Sequence, residues 1–482
     1  MQLQNPKLFK QQNYINGKWI NAIEGKTFDI FNPFDNSYIG KVPMCGQLET
    51  QQAIEAADTA LNSWKNTTAQ ERAIVLTRFA NLIEAHKMDL AKIMTIEQGK
   101  PLKEAISEIE YGNKYNYWFA EEAKRIYGDV IPTINPDRRL IVIKEPVGVC
   151  AAITPWNFPS AMIMRKSAPA LAAGCTLVIK PAESTPFSAL ALAVLAEEAG
   201  LPPGTINIIT GDTATIGQEL CKNPRVSKLS FTGSTKIGKL LMEQCSSTLK
   251  KLSLELGGNA PFIVFDDANL EKALEGLKAA KFRNGGQACV ADNRVYIHDS
   301  IYDKFVNMIY DYVKSLKVGN GLDETVAVGP LINQQAVSKI ENLVKDAIDH
   351  GAELLLGGSI DSCSPNAYKP TIIINIPSQA NISKEEIFGP IIAIYKFQDE
   401  DEVVKLANDT SYGLAAYFYS RDICRIWKVA EKLEYGMVSI NSGLFSTEVA
   451  PFGGIKQSGF SREGSKYVIE DFVNIKYMCI GL

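Results

Sequence analysis

Between residues 50 and 120, apolar residues recur every three to four positions, and segments 49–63 and 69–86 each place them on one helical face. Lys100-Pro101 breaks the next stretch of this pattern. Residues 139–144 form a short, isolated β-branched run. From Pro146 onward the period changes. Short apolar runs at 147–153, 176–180, 206–209, 228–232 and 251–256 read as strands. Between them, helical patterns cover 160–173, 186–199 (opened by Pro186), 213–221 and 234–245. This alternation predicts an α/β fold with a doubly wound parallel sheet, whose ligands sit at the carboxyl ends of the strands. A second α/β block begins with a strand at 262–265, a helix at 270–283 and a tight loop at 285–289, and alternates to about residue 440. The boundary between the blocks is expected near 256–259. The last segment, 467–482, holds the β-rich stretch VNIKYMCI. It is expected to pair with 139–144 as an exposed flap, and edges of that kind invite another subunit.

Composition narrows the reading. The chain has 482 residues, 46% of them hydrophobic and 22% charged, which supplies cores for two or three domains and excludes disorder as the main state. Fifty basic against 54 acidic residues leave a net charge of −4, so no global basic field exists to hold nucleic acid. Nine cysteines without a CxxC pair make neither a disulfide framework nor a zinc spacing. The three histidines, His86, His298 and His350, form no ligand motif, so no metal site is expected. No export or transit pattern opens the chain, and the apolar stretch at 189–196 falls well short of the roughly 20 residues a membrane span needs. Unpaired thiols then point to a reducing cytoplasm.

Several segments carry candidate chemistry. Cys289 stands in FRNGGQACV, just after Gly285 and Gly286, which let the backbone turn sharply and approach a ligand. A thiolate there is a strong nucleophile; the alternative is a buried, inert cysteine. Glu255, in LSLELGGNA, closes an apolar strand, where burial would raise its pKa and suit it to general-base work. An ion pair at the strand edge is the alternative. Asn157, in TPWNFP, lies between two prolines at a strand end, where its amide could donate to an oxyanion or simply serve a turn. Phe231 to Gly238 (FTGSTKIG) runs from a strand into a helix, with free N–H groups for a phosphate, although its spacing is GxxxxG rather than GxGxxG. Lys180 and Glu183, in KPAE, end the preceding strand and could hydrogen-bond ribose hydroxyls.

In order and spacing, TPWNFP, KPAE, FTGST, LELGGNAP, GGQACV, EEIFGP and PFGGIKQSG closely resemble the aldehyde dehydrogenase superfamily over the full chain. The resemblance implies two doubly wound parallel-sheet domains, one for cofactor and one for catalysis, plus a small β oligomerisation flap. The NAD(P)-binding domain would be 1–255, with 125–145 contributing to the flap. The catalytic domain would be 256–440, and 441–482 would return to the cofactor domain and supply the C-terminal oligomerisation strand. Cys289 would attack the aldehyde carbon. The Asn157 side chain and the Cys289 N–H would hold the oxyanion, hydride would leave to the nicotinamide, and Glu255 would activate the water that hydrolyses the thioester. Lys180 and Glu183 would hold the adenosine ribose, Trp156 and Ser234 the pyrophosphate, and Glu386 and Phe388 the nicotinamide ribose and ring. Gly233 and Leu256 complete the implied cofactor-binding set.

Arg165, Arg283, Ser446 and the ending IKYMCIGL are similar to succinate-semialdehyde dehydrogenases, in which the two arginines and the serine hold the distal carboxylate of the substrate. A related aldehyde such as glutarate semialdehyde is the alternative substrate. Glu255 argues against a CoA-acylating relative. Two positions depart from the pattern. Ala291 stands where some members carry a second cysteine, so a local disulfide switch is lost. Glu183 stands where many bacterial members have a serine and favour NADP; a carboxylate there repels a 2′-phosphate, so NAD is expected, with NADP as the second choice. The expected partners are a small-molecule aldehyde and further copies of the chain, as a dimer or tetramer, with neither nucleic acid nor membrane.

Overall fold

The strand Val149–Ile153 (VCAAI) is buried at every residue, which requires a sheet covered on both faces. In the computed structural model, which describes residues 2–482, it sits near the middle of an eight-stranded sheet. Thr176–Lys180 and Ile206–Ile208 follow on one side, then the antiparallel hairpin Asn13–Ile15 and Lys18–Ile20. Val226–Thr232 and Lys251–Glu255 lie on the other side, edged by the short antiparallel strand Gly459–Phe460. The chain therefore builds outward from Val149–Ile153, then crosses back to build the other half. The switch point lies between Val149–Ile153 and Val226–Thr232, and the loops after these two strands flank the crevice where such sheets bind ligands. Those loops are TPWNFP and FTGST.

A second, seven-stranded sheet has Asp292–His298 at its centre and Ala260–Val264 beside it. Its pairings are parallel except at the edge strand Glu353–Leu356. A three-stranded sheet stands apart. In it Val473–Gly481 runs antiparallel to Arg138–Pro146, register by register, with Asp129–Ile131 on the far side. Its outer positions leave Val130, Ile475 and Tyr477 more than half exposed.

Ala161–Ala173, whose residues are all buried, and Pro186–Glu198 cover one face of the first sheet, and Leu102–Glu122 and Lys87–Gln98 pack against these helices from outside. The helix expected over 270–283 ends at Lys281, because Asn284 and Gly285 turn into the left-handed region and the chain tightens into a short 3₁₀ segment. Periodicity alone missed the amino-terminal strands, which are only three to six residues long. The first of their hairpins turns at Asn16-Gly17 with positive φ at both residues, a local signal that was present in the sequence. Among the described residues, no helix is long and apolar enough to cross a membrane.

Candidate active site

Four strand ends and one loop build the site. The loop follows the helix Leu270–Lys281, where Asn284, Gly285 and Gly286 take φ of 53°, 60° and 77° and reverse the chain. The Gln287 carboxamide fixes the loop from within: its Nε2 donates to the Asn284 carbonyl at 3.2 Å and its Oε1 accepts the Ile332 N–H at 3.0 Å. Cys289 emerges partly exposed, whereas Cys45, Cys150, Cys175, Cys221 and Cys245 are buried in the cores around the first sheet. The glycine pair of ELGGN packs against this loop. A Cβ at Gly258 would lie 2.2 Å from the Cys289 carbonyl oxygen, so only glycine allows the approach. Burial, and then the charge of Glu386, push the Cys289 thiol up to about 12, with Arg165 pulling the other way.

Asn157 follows the strand Val149–Ile153 and is 4% exposed. Its side-chain Nδ2 donates to the Gln287 carbonyl at 2.9 Å. That uses one of its two N–H groups and aims the amide along the nucleophile loop. Its main-chain carbonyl accepts from Lys100 Nζ at 2.7 Å and from Asn284 Nδ2 at 2.9 Å.

Glu255 ends its strand 3% exposed, and neither carboxylate oxygen has a hydrogen-bond partner. Burial, followed by the charge of Glu463, raises its carboxyl well above the usual range, against the pull of Arg165 and Lys166. Glu463 went unnoticed in the sequence. It is buried, ion-paired with Arg165 Nη2 at 2.5 Å and bonded to Lys166 Nζ. Nothing local marks it, because its partners are almost 300 residues away in the chain.

Lys180 and Glu183 form an ion pair at 2.5 Å where the strand Thr176–Lys180 ends, Lys180 buried and Glu183 half exposed. Gly233 donates its N–H to the Glu255 carbonyl at 3.0 Å, tying the FTGST turn to the Glu255 strand. Ser234 caps the helix Thr235–Cys245, whose free N–H groups open toward the crevice. Leu256 is buried, and its N–H donates to the Ser458 carbonyl at 3.0 Å. Glu386 accepts the Gly258 N–H at 3.0 Å, and burial pushes its carboxyl up to about 7. Phe388 has φ of 60°, unusual for an aromatic residue, and its ring meets Trp156 edge-on at 5.5 Å. The carboxyl ends of these strands, with the loop before Ile391, thus offer a Lys180–Glu183 polar pair, a helix N-terminus and an edge-on aromatic pair, a layout that suits a dinucleotide.

Beside the nucleophile loop lies a cavity of about 410 Å³, lined by Arg283, Ser446, Tyr111, Phe158, Lys278 and Glu104 among others. The Arg283 guanidinium lies 4.7 Å from the Phe158 ring and 5.5 Å from that of Tyr111. Arg165 does not line this cavity. It is 2% exposed, committed to Glu463, with its guanidinium 4.1 Å from the Phe452 ring. Arg283 and Ser446 are therefore brought together, while Arg165 acts on the site through its charge on Cys289 and Glu255.

A model of the aldehyde dehydrogenase family matches residues 19–478. The chain belongs to this family. It is 56% identical to the succinate-semialdehyde dehydrogenase [NADP(+)] GabD of Escherichia coli, with all of each chain covered. It is also 56% identical to a glutarate-semialdehyde dehydrogenase of Pseudomonas aeruginosa, again over both full lengths. A crystal structure of succinate-semialdehyde dehydrogenase from Burkholderia pseudomallei superposes with a TM-score of 0.99 at 54% identity, over the whole of both chains. The enzyme class is thus NAD(P)-dependent aldehyde oxidation. Burial raises both the Cys289 thiol and the Glu255 carboxyl, so raising the pH increases the ionised form of each. We expect alkylation of Cys289 by iodoacetamide in the apoenzyme, followed by mass spectrometry of its peptide, to accelerate about tenfold per pH unit from 6 to 9. A plateau near pH 7 would show a thiolate already formed.

Proposed function

We propose that the chain oxidises succinate semialdehyde to succinate with NAD(P)⁺, preferring NAD⁺. The observation that carries the substrate is that Arg283 and Ser446 line one cavity, with Arg283 at the start of the nucleophile loop. A four-carbon semialdehyde presents an aldehyde at one end and a carboxylate at the other. The guanidinium pairs with the carboxylate, and the Ser446 hydroxyl donates a further hydrogen bond. Flanking rings restrict the arginine, which lowers the entropy lost on binding. Glu104 also lines this cavity, where burial raises its carboxyl against the pull of the Asn284 N–H, Lys100 and Arg283. Arg165, committed to Glu463 and outside the cavity lining, takes no direct part in holding the carboxylate.

In this reading the Cys289 thiol gives up its proton to water, and Sγ bonds to the aldehyde carbon as the C=O opens to an oxyanion. The free N–H of the Asn157 amide and the Cys289 N–H receive the developing oxyanion; removing such a donor typically costs about 10²–10³ in rate. When bound, NAD(P)⁺ supplies the hydride acceptor. Lys180 and Glu183 hold its adenosine ribose. Trp156, Gly233 and Ser234 meet the pyrophosphate, and Leu256, Glu386 and Phe388 hold the nicotinamide end. Glu255 then takes a proton from water, which attacks the thioester and frees Cys289. Its unpartnered oxygens leave it free to do so. Cofactor binding is assigned to 1–255 with 441–482, and the nucleophile to the catalytic region 256–440. The chain assembles as a dimer or tetramer through its three-stranded sheet, where Val130, Ile475 and Tyr477 offer exposed apolar surface. Nine free cysteines support a reducing compartment such as the cytoplasm.

The substrate test is the ratio of kcat/KM for succinate semialdehyde to that for butanal, which lacks the charge. Arg283→Ala should lower this ratio about 10- to 100-fold, the worth of a charge-assisted hydrogen bond. An unchanged ratio overturns the assignment. Glutarate semialdehyde, one methylene longer, is the competing substrate that the Pseudomonas relative brings forward, and a higher kcat/KM for it would replace the four-carbon reading. For the cofactor, Glu183→Ser should move the NADP⁺/NAD⁺ ratio of kcat/KM upward by about tenfold or more, because a carboxylate no longer faces the 2′-phosphate. No shift would remove Glu183 from the ribose site.

A further inference from the structure

Lys100 and Glu108 form an ion pair at 2.5 Å with side chains 0% and 1% exposed. Such a pair is a poor source of stability, because the desolvation of two charges offsets their attraction. Where its remaining hydrogen bonds go is therefore informative. Lys100 Nζ donates to the main-chain carbonyl of Asn157 at 2.7 Å and lies 4.2 Å from the face of the Phe158 ring. The second oxygen of Glu108 accepts the Ser160 N–H at 3.0 Å and the Ala161 N–H at 3.1 Å. The pair thus grips both ends of the short loop 157–161. One turn earlier on the Glu108 helix, Glu104 accepts the Asn284 N–H at 2.6 Å, and Asn284 Nδ2 reaches the same Asn157 carbonyl at 2.9 Å. The helix Leu102–Glu122 and the turn before it therefore tie the Asn157 loop to the nucleophile loop.

We propose that Lys100, clamped by Glu108, is a positioning residue for the oxyanion amide. It fixes the main chain of Asn157 so that the side-chain N–H not taken by Gln287 points to where the oxyanion forms. The inference rests on the reading of Asn157 as an oxyanion donor. Lys100 also borders the substrate cavity. With its ammonium enclosed and directed at Glu108, Asn157 and the Phe158 ring, it has no donor left for a substrate carboxylate, so its removal should act on kcat and leave KM in place.

The experiment is a double-mutant cycle on the intact enzyme with succinate semialdehyde and NAD⁺. Asn157→Ala is measured alone, then Lys100→Met, and then Lys100→Met/Glu108→Gln, in which no buried charge is left without its partner. Thermal unfolding confirms that each variant is folded; if Lys100→Met is not, the paired variant carries the comparison. Lys100→Met/Glu108→Gln should lower kcat about 10- to 100-fold, with KM for both substrates within about twofold. Added to Asn157→Ala, it should cost less than about a further twofold, because the group it positions is already gone. Undiminished kcat, an equal loss in both backgrounds, or a loss expressed mainly in KM overturns the role of Lys100 while leaving the oxyanion reading intact. Undiminished kcat in Asn157→Ala alone overturns that reading, and the inference with it.

Discussion

A carboxyl group with nothing to bond to, at the end of a buried strand, is the constraint around which this site is arranged. Glu255 has both oxygens enclosed and unpartnered. An ionised carboxylate in that position is costly, so burial raises its affinity for a proton and makes it a stronger base. The surroundings limit that cost without abolishing it. Arg165 and Lys166 both turn to Glu463, which takes up their charge and leaves Glu255 only their residual field. Were either cation bonded to Glu255 directly, its basicity would be spent before water arrived. Burial, and then the charge of Glu386, likewise raise the Cys289 thiol, so the two groups share one electrostatic setting.

Around this dry centre, positions are set by the backbone rather than by flexible side chains. Asn157, Lys180, Gly233 and Glu255 each stand at or just beyond the carboxyl end of a parallel strand of one sheet, so their spacing follows from strand pairing. Cys289 comes from the other sheet's connection, and Gly258 lets the two backbones meet closely. The cavity of Arg283 and Ser446 lies where the two regions meet, lined by Lys100, Glu104, Tyr111 and Phe158 from one and by Lys278, Phe282 and Arg283 from the other.

Much of this was legible in the sequence, for particular reasons. The alternation from Pro146 onward marked the parallel sheet because short buried strands such as TLVIK are separated by helices of ten residues or more. The glycines of GGQACV and LELGGN stood out because close approach leaves no other residue. What stayed hidden was long-range. Glu463, Lys100 and Glu108 carry no local pattern, and a buried ion pair reads in sequence like two ordinary surface charges. Arg165 shows the same limit. Its residue type suits a substrate carboxylate, but its guanidinium is committed to Glu463, a partner that spacing along the chain could not reveal. The short amino-terminal strands were lost for the opposite reason, having too few residues for a period to register.

The central claim is that the carbon being oxidised becomes bonded to one sulfur and waits there for water activated by Glu255. The most direct measurement is acid quenching of Glu255→Gln during reaction with succinate semialdehyde and NAD⁺, followed by mass spectrometry of the digest. The account predicts that an acyl group accumulates on the peptide carrying Cys289, with a burst of reduced cofactor approaching one per active site. Steady turnover with no acyl group on that peptide, or the label on another cysteine, would contradict it.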